Sequence, residues 1–116
     1  MTSDSAGPQS AGEARDDGLA ALAAKAEEAE RFLKTLANGH RLMILCELHG
    51  AELCVMDLQN AVGLSQSALS QHLARLRKDR MVTTRRDSRS IYYSLSDERL
   101  KPMIQLLSDI FCPARP

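Results

Sequence analysis

Gly63-Leu64-Ser65-Gln66-Ser67-Ala68-Leu69-Ser70-Gln71-His72-Leu73-Ala74-Arg75-Leu76 reads as a turn opening into an amphipathic helix, and the fold follows from it. Gly63 makes the turn, Leu64 is an apolar plug, and Ser65 is a good N-cap because its hydroxyl accepts from an amide of the first turn. Leu69, Leu73 and Leu76 fall at i, i+4 and i+7, one stripe for a core. Opposite it lie Gln66, Ser67, Ser70, Gln71 and Ala74, with Arg75 at the edge. A merely solvated face normally carries Glu and Lys; this one has no charge between Ser65 and Ala74. Hydroxyls and amides can address base edges in a major groove, glutamine pairing bidentately with adenine. His72 flanks the face, where a phosphate is its expected partner.

Met81 to Leu95 reads as a hairpin, with Ile91, Tyr93 and Leu95 alternating and Asp87-Ser88 at the tip. Arg85, Arg86 and Arg89 crowd that tip, an arrangement that costs repulsion unless phosphates neutralise it. Tyr92 is expected to pack. A groove-reading helix followed by a basic hairpin is the layout of a winged helix-turn-helix. The expected partner is double-stranded operator DNA. The expected contacts are Ser65, Gln66, Ser67, Ser70, Gln71, His72, Arg75, Arg85, Arg86 and Arg89.

Upstream, Leu19, Leu22, Ala26, Ala29, Leu33 and Leu36 recur at spacings of three and four, predicting one continuous first helix. Asn38-Gly39 interrupts it, and a second helix runs from about His40 to His49, stopped by Gly50. A third, from about Val55 to Ala61, turns Val55, Leu58 and Val62 inward. The last spans Asp97 to Phe111, with Leu100, Met103, Ile104, Leu107, Ile110 and Phe111 apolar and Pro113 ending it. The expected fold is mainly α, five helices with a two-stranded β-wing. Residues 1–18, rich in Ser, Gly, Ala, Asp and Pro, are expected to be a disordered tail, and 19–116 one DNA-binding and dimerisation domain. The first and last helices are more apolar than a small core needs. A homodimer through residues 19–36 and 97–112 is therefore expected, placing two recognition helices on an inverted repeat.

The formal net charge is zero over 116 residues, but its distribution is uneven. Residues 1–18 set Asp4, Glu13, Asp16 and Asp17 against Arg15, whereas residues 75–89 set seven cations against only Asp79 and Asp87. Local field, not total charge, attracts phosphates. No apolar run approaches the ~20 residues that span a bilayer and no signal-peptide core is present, so a cytoplasmic protein without a membrane partner is expected. In that compartment Cys46, Cys54 and Cys112 stay reduced, and no Cys-x-x-Cys spacing suggests a zinc ribbon. Beyond a weak Cys46/His49 pair there is no nucleophile–base–acid set and no Gly-rich phosphate loop. Catalytic residues are expected to be absent, and the chain does not read as an enzyme.

The run Leu53-Cys54-Val55-Met56-Asp57-Leu58, the segment Ser65 to Leu73 and the Arg-rich wing before Tyr92-Tyr93 together resemble the ArsR family of winged-helix repressors, over roughly residues 20–112. The resemblance implies dimers that leave DNA when an inducer binds. Arsenic-sensing members carry Cys-Val-Cys on the third helix, where this chain has Cys54-Val55-Met56. Zinc-sensing members pair Asp and His on the last helix, where no His stands between Asp97 and Phe111. Cys46 on the second helix and Cys112 at the end of the last are similar to the sulfur- and persulfide-responsive branch. That likeness implies that the two thiols are the sensing pair, joined by a di- or polysulfide bridge that releases DNA, with no cofactor, no metal ligands and Cys54 outside the pair. On the residues alone, Cys46 also fits as a small core hydrophobe. A soft-metal or arsenite-responsive repressor using the cysteines as ligands stays open, as does a constitutive DNA-binding module with inert cysteines. Within the pair, His49 at i+3 is expected to assist Cys46 as first attacker, while Cys112, at the negative end of its helix, resolves.

Overall fold

The computed structural model describes residues 18–96 and 98–112. Of the expected tail only Gly18 lies inside that range; Asp97, where the last helix was expected to begin, and Pro113, expected to end it, lie outside. Contacts divide the chain at Lys34–Thr35 into two units. In the first, residues 18–24 are helical, Lys25 is a turn, and α1 (Ala26–Leu36) follows and runs into the second unit. The continuous first helix expected from the apolar stripe is thus broken once, and six helical segments rather than five occur among the described residues. The break is a local tightening: the Lys25 amide is shared between the carbonyls of Ala21 at 3.2 Å and Leu22 at 3.0 Å.

The second unit continues with α2 (Gly39–Glu47), β1 (Leu53–Cys54), α3 (Val55–Val62), α4 (Gln66–Lys78), β2 (Val82–Asp87), β3 (Ser90–Leu95) and α5 (Leu100–Phe111). Asn38 starts α2, its Oδ1 accepting from the Arg41 amide at 3.1 Å. Gly63 stops α3 at φ 70, a left-handed geometry that glycine adopts without steric cost. The core is Leu36 from the end of α1, Ile44, Leu45 and Leu48 from the α2 region, Leu58 from α3, Leu69, Leu73 and Leu76 from α4, Met81 and Val82 at the wing base, and Leu100 and Ile104 from α5. The leucine stripe read from sequence is the buried face of α4. Leu64 is only half-buried, so its plugging role is partial.

The sheet has three antiparallel strands in the order β1-β3-β2, not two. β1 is two residues long, pairing Leu53 with Tyr93 and Cys54 with Tyr92, too short for an alternation to announce it. β2 and β3 pair from Val82–Leu95 out to Asp87–Ser90, so the tip is Ser88-Arg89, one residue beyond the expected Asp87-Ser88.

Candidate nucleic-acid interface and thiol pair

α4 is held at its start by Ser65, whose Oγ accepts from the Ala68 amide at 3.2 Å and stands 3.4 Å from Ser67 Oγ. Ser65 therefore acts first as a cap. Ser65→Ala is expected to lower stability by about 1 kcal/mol, read as a lower Tm in a thermal melt. Gln66, Ser67, Ser70, Gln71 and Ala74 are all exposed, opposite the buried leucines. The polar face expected to enter a groove is presented as one surface.

His72 is set differently. It is half-buried with its ring 5.6 Å from that of His40, and burial, then the charges of Arg41 and His40, hold its pKa below the usual imidazole value. At neutral pH it is an uncharged imidazole, able to donate a hydrogen bond to a phosphate oxygen but not to form an ion pair with one. Arg75 is tethered: its Nε donates to Asp79 Oδ2 at 2.9 Å, and the same oxygen accepts from Thr35 Oγ1.

In the wing, Arg85 is already engaged. Its Nε and one terminal nitrogen donate to the two oxygens of Glu52 at 3.0 and 2.8 Å, and its guanidinium lies 4.9 Å over the Tyr92 ring. That hydrogen-bonded pairing holds the Glu52 carboxyl below the ordinary carboxylate range and raises Arg85. Arg85 therefore ties the hairpin to the loop before β1, and a phosphate must compete with Glu52 for it. Arg86 and Arg89 are exposed, with no acidic partner among the described residues. They are the two wing arginines not engaged by a carboxylate among the described residues.

Sequence reasoning gave Glu52 no role and Asp79 only that of a counter-charge, yet they hold Arg85 and Arg75 from a loop and a helix end. It also left Arg77 and Lys78 out of the contact set. Both line a cavity of about 420 Å³ between α4 and the sheet, together with Ser70, Ala74, Val55 and Tyr93. The spacing of Ser70, Ala74 and Arg77 at i, i+4 and i+7 was the available signal.

All three cysteines are free. Cys54 is half-buried in the sheet opposite Tyr92, whereas Cys46 and Cys112 are exposed. Enough protein still surrounds the Cys46 sulfur that burial pushes its pKa up, and the charges of Cys112 and Glu47 push it the same way. The fold therefore brings Cys46 on α2 and Cys112 at the end of α5 within electrostatic reach of each other. The assistance expected from His49 is not among these influences, because Glu47 is the neighbour that acts, and it disfavours the thiolate. Among the described residues no three His, Cys, Asp or Glu side chains converge as a metal ion would need, and no helix is long and apolar enough to cross a membrane.

Residues 38–84 match the family described as bacterial regulatory protein, arsR family. The chain is 49% identical over 83 residues to the transcriptional activator HlyU of Vibrio cholerae, covering 72% of this chain and 77% of HlyU. The structure of reduced HlyU from that organism superposes with a TM-score of 0.75 at 45% identity, covering 78% of this chain and 96% of the other. The crystal structure of the transcriptional repressor BigR from Xylella fastidiosa gives 0.76 at 35% identity, covering 86% and 98%. A homodimeric winged helix-turn-helix DNA-binding domain, Mb0332 from Mycobacterium bovis, gives 0.68 at 31%, covering 76% and 82%. These relatives are regulators of transcription, not enzymes.

Proposed function

We propose, from the premise that this chain belongs to the arsR family of bacterial regulatory proteins, that it is a dithiol repressor responding to persulfides. It binds an inverted-repeat operator as a homodimer when Cys46 and Cys112 are reduced, and leaves when they are bridged. The observation that carries this reading is that two exposed thiols, one on α2 and one at the end of α5, lie within electrostatic reach of each other, while Cys54 is half-buried in the sheet. That a relative is known in a form specified as reduced supports it further.

The chemistry balances without an added oxidant. The Cys46 thiolate attacks the sulfane sulfur of a low-molecular-weight persulfide, forming Cys46–S–SH and releasing the carrier as its thiol. The Cys112 thiolate then attacks the Cys46 sulfur, and hydrosulfide leaves as the disulfide forms. A second sulfur transfer before closure leaves one more sulfur in the bridge. Bridging α2 to α5 shifts the population away from the DNA-competent arrangement. A loss of about 2–3 kcal/mol is a ~30–150-fold change in affinity, enough to switch a promoter.

The test is fluorescence anisotropy on a duplex from the protein's own promoter, with reduced protein and with protein treated with glutathione persulfide. A fall of ~30–150-fold is expected on treatment. Equal binding by the two forms rejects the dithiol reading.

A further inference from the structure

Asp79 caps the C-terminal end of α4, where the helix dipole disfavours an anion. Its side chain is also only 4% exposed, a second cost for a carboxylate. An aspartate at this position does nothing for the helix by itself, so its partners must account for it. Among those partners are Arg75 through Nε at 2.9 Å and Thr35 through its hydroxyl, and Arg41 also feels the carboxylate's charge. Thr35 in turn offers its carbonyl to Arg41 Nε at 2.7 Å, on the first turn of α2. Met81 and Arg80 close the helix end from the other side, their amides donating to the carbonyls of Leu76 and Arg77 at 2.9 and 3.0 Å. The carboxylate is held rigidly, and Arg75 is held by it.

We infer that Asp79 is the positioning residue for Arg75, fixing its guanidinium at the edge of α4 so that the terminal amino groups form a fork for a DNA backbone phosphate. The inference rests on α4 being the groove-entering helix. A free arginine on a helix samples many rotamers, and ordering it on a phosphate costs side-chain entropy. The Nε hydrogen bond meets that cost in advance and leaves the planar fork, the part of arginine that matches phosphate oxygens. The Arg75 side chain keeps 42% exposure, enough for its far end to reach a ligand.

The sign of one substitution separates this from simple charge balance. Asp79→Asn removes a negative charge from a DNA-facing edge, so long-range electrostatics alone predicts tighter binding. Positioning predicts weaker binding. The experiment measures affinity of the reduced protein for operator and scrambled duplexes across a salt series. Arg75→Gln is expected to lose about tenfold on both duplexes and to reduce the salt slope by about one. Asp79→Asn is expected to lose about fivefold on both, and the double variant to lose no more than Arg75→Gln alone. Thr35→Val, which keeps every charge, is expected to lose two- to threefold, and Asp79→Glu to recover part of the loss; both serve if Asp79→Asn melts below the assay temperature. Unchanged or tighter binding by these variants, or an equal loss in the Arg75→Gln background, overturns the inference. Failure of the wild-type chain to bind any duplex instead overturns the assignment of α4, a distinguishable result.

Discussion

Cys46→Ser protein treated with glutathione persulfide is expected to stay on operator DNA with the affinity of the untreated wild type, and Cys112→Ser likewise. Cys54→Ser is expected to be released as wild type is, by ~30–150-fold. The contrast follows from placement. Cys46 and Cys112 are exposed and within electrostatic reach of each other, whereas Cys54 is half-buried on a strand paired with Tyr92. Removing either partner leaves a persulfide that cannot close a bridge between α2 and α5. A soft-metal sensor would respond differently, since a metal added to reduced protein would release DNA with no persulfide present.

The same pair fixes a pH dependence. The thiolate is the attacking species. Burial, Cys112 and Glu47 all raise the Cys46 pKa, so at neutral pH the reactive fraction is below that of an ordinary cysteine. The release rate is expected to climb with pH and to go on climbing above about 8.5, where an unperturbed thiol has reached its midpoint. Acidification slows it. Anisotropy decays recorded across that range test the sign. A rate that levels off below the ordinary cysteine value would rule out Cys46 as the first attacker.

How much of this was legible in the sequence depends on whether the deciding contact was local. Leu69, Leu73 and Leu76 lie on one helix at fixed spacing, and they are the buried face of α4. The Ser65 cap is equally local. The break at Lys25 depends on a shared amide hydrogen bond within an Ala/Leu-rich stretch whose composition favours helix on both sides. The engagement of Arg85 by Glu52 and of Arg75 by Asp79 involves one carboxylate given no reading and one read only as a counter-charge. Charge counting assigned three free arginines to the wing, and the fold leaves Arg86 and Arg89. The pairing of Cys46 with Cys112 was reachable only through a family resemblance, because no spacing rule connects a thiol on α2 to one past the end of α5, and the structure places them only within electrostatic reach.

Ile110→Asp is expected to convert a dimer into a monomer and to weaken operator binding by about 10²-fold or more, the largest effect of any single surface change. α5 has two apolar faces. Leu100 and Ile104 are buried on one, whereas Leu106 and Ile110 are 53% and 56% exposed on the other, and Phe111 at the helix end is 74% exposed. In the first unit, Leu19, Leu22 and Leu33 are likewise exposed. Single exposed apolar residues need no explanation, but uncovered stripes on helices at both ends of so short a chain do. A second copy covering them would also set two α4 helices on one duplex. Two half-site contacts held together act at millimolar effective concentration, so separating them removes ~10²–10⁴ in affinity without altering either contact. Sedimentation equilibrium should therefore show wild type as a dimer and Ile110→Asp as a monomer. Affinity for a single half-site should be the same for both, with the full operator alone discriminating between them. A wild-type chain that sediments as a monomer, or an Ile110→Asp chain that binds the full operator as tightly as wild type, rules out this interface. The exposed face of α5 would then be available to a different protein.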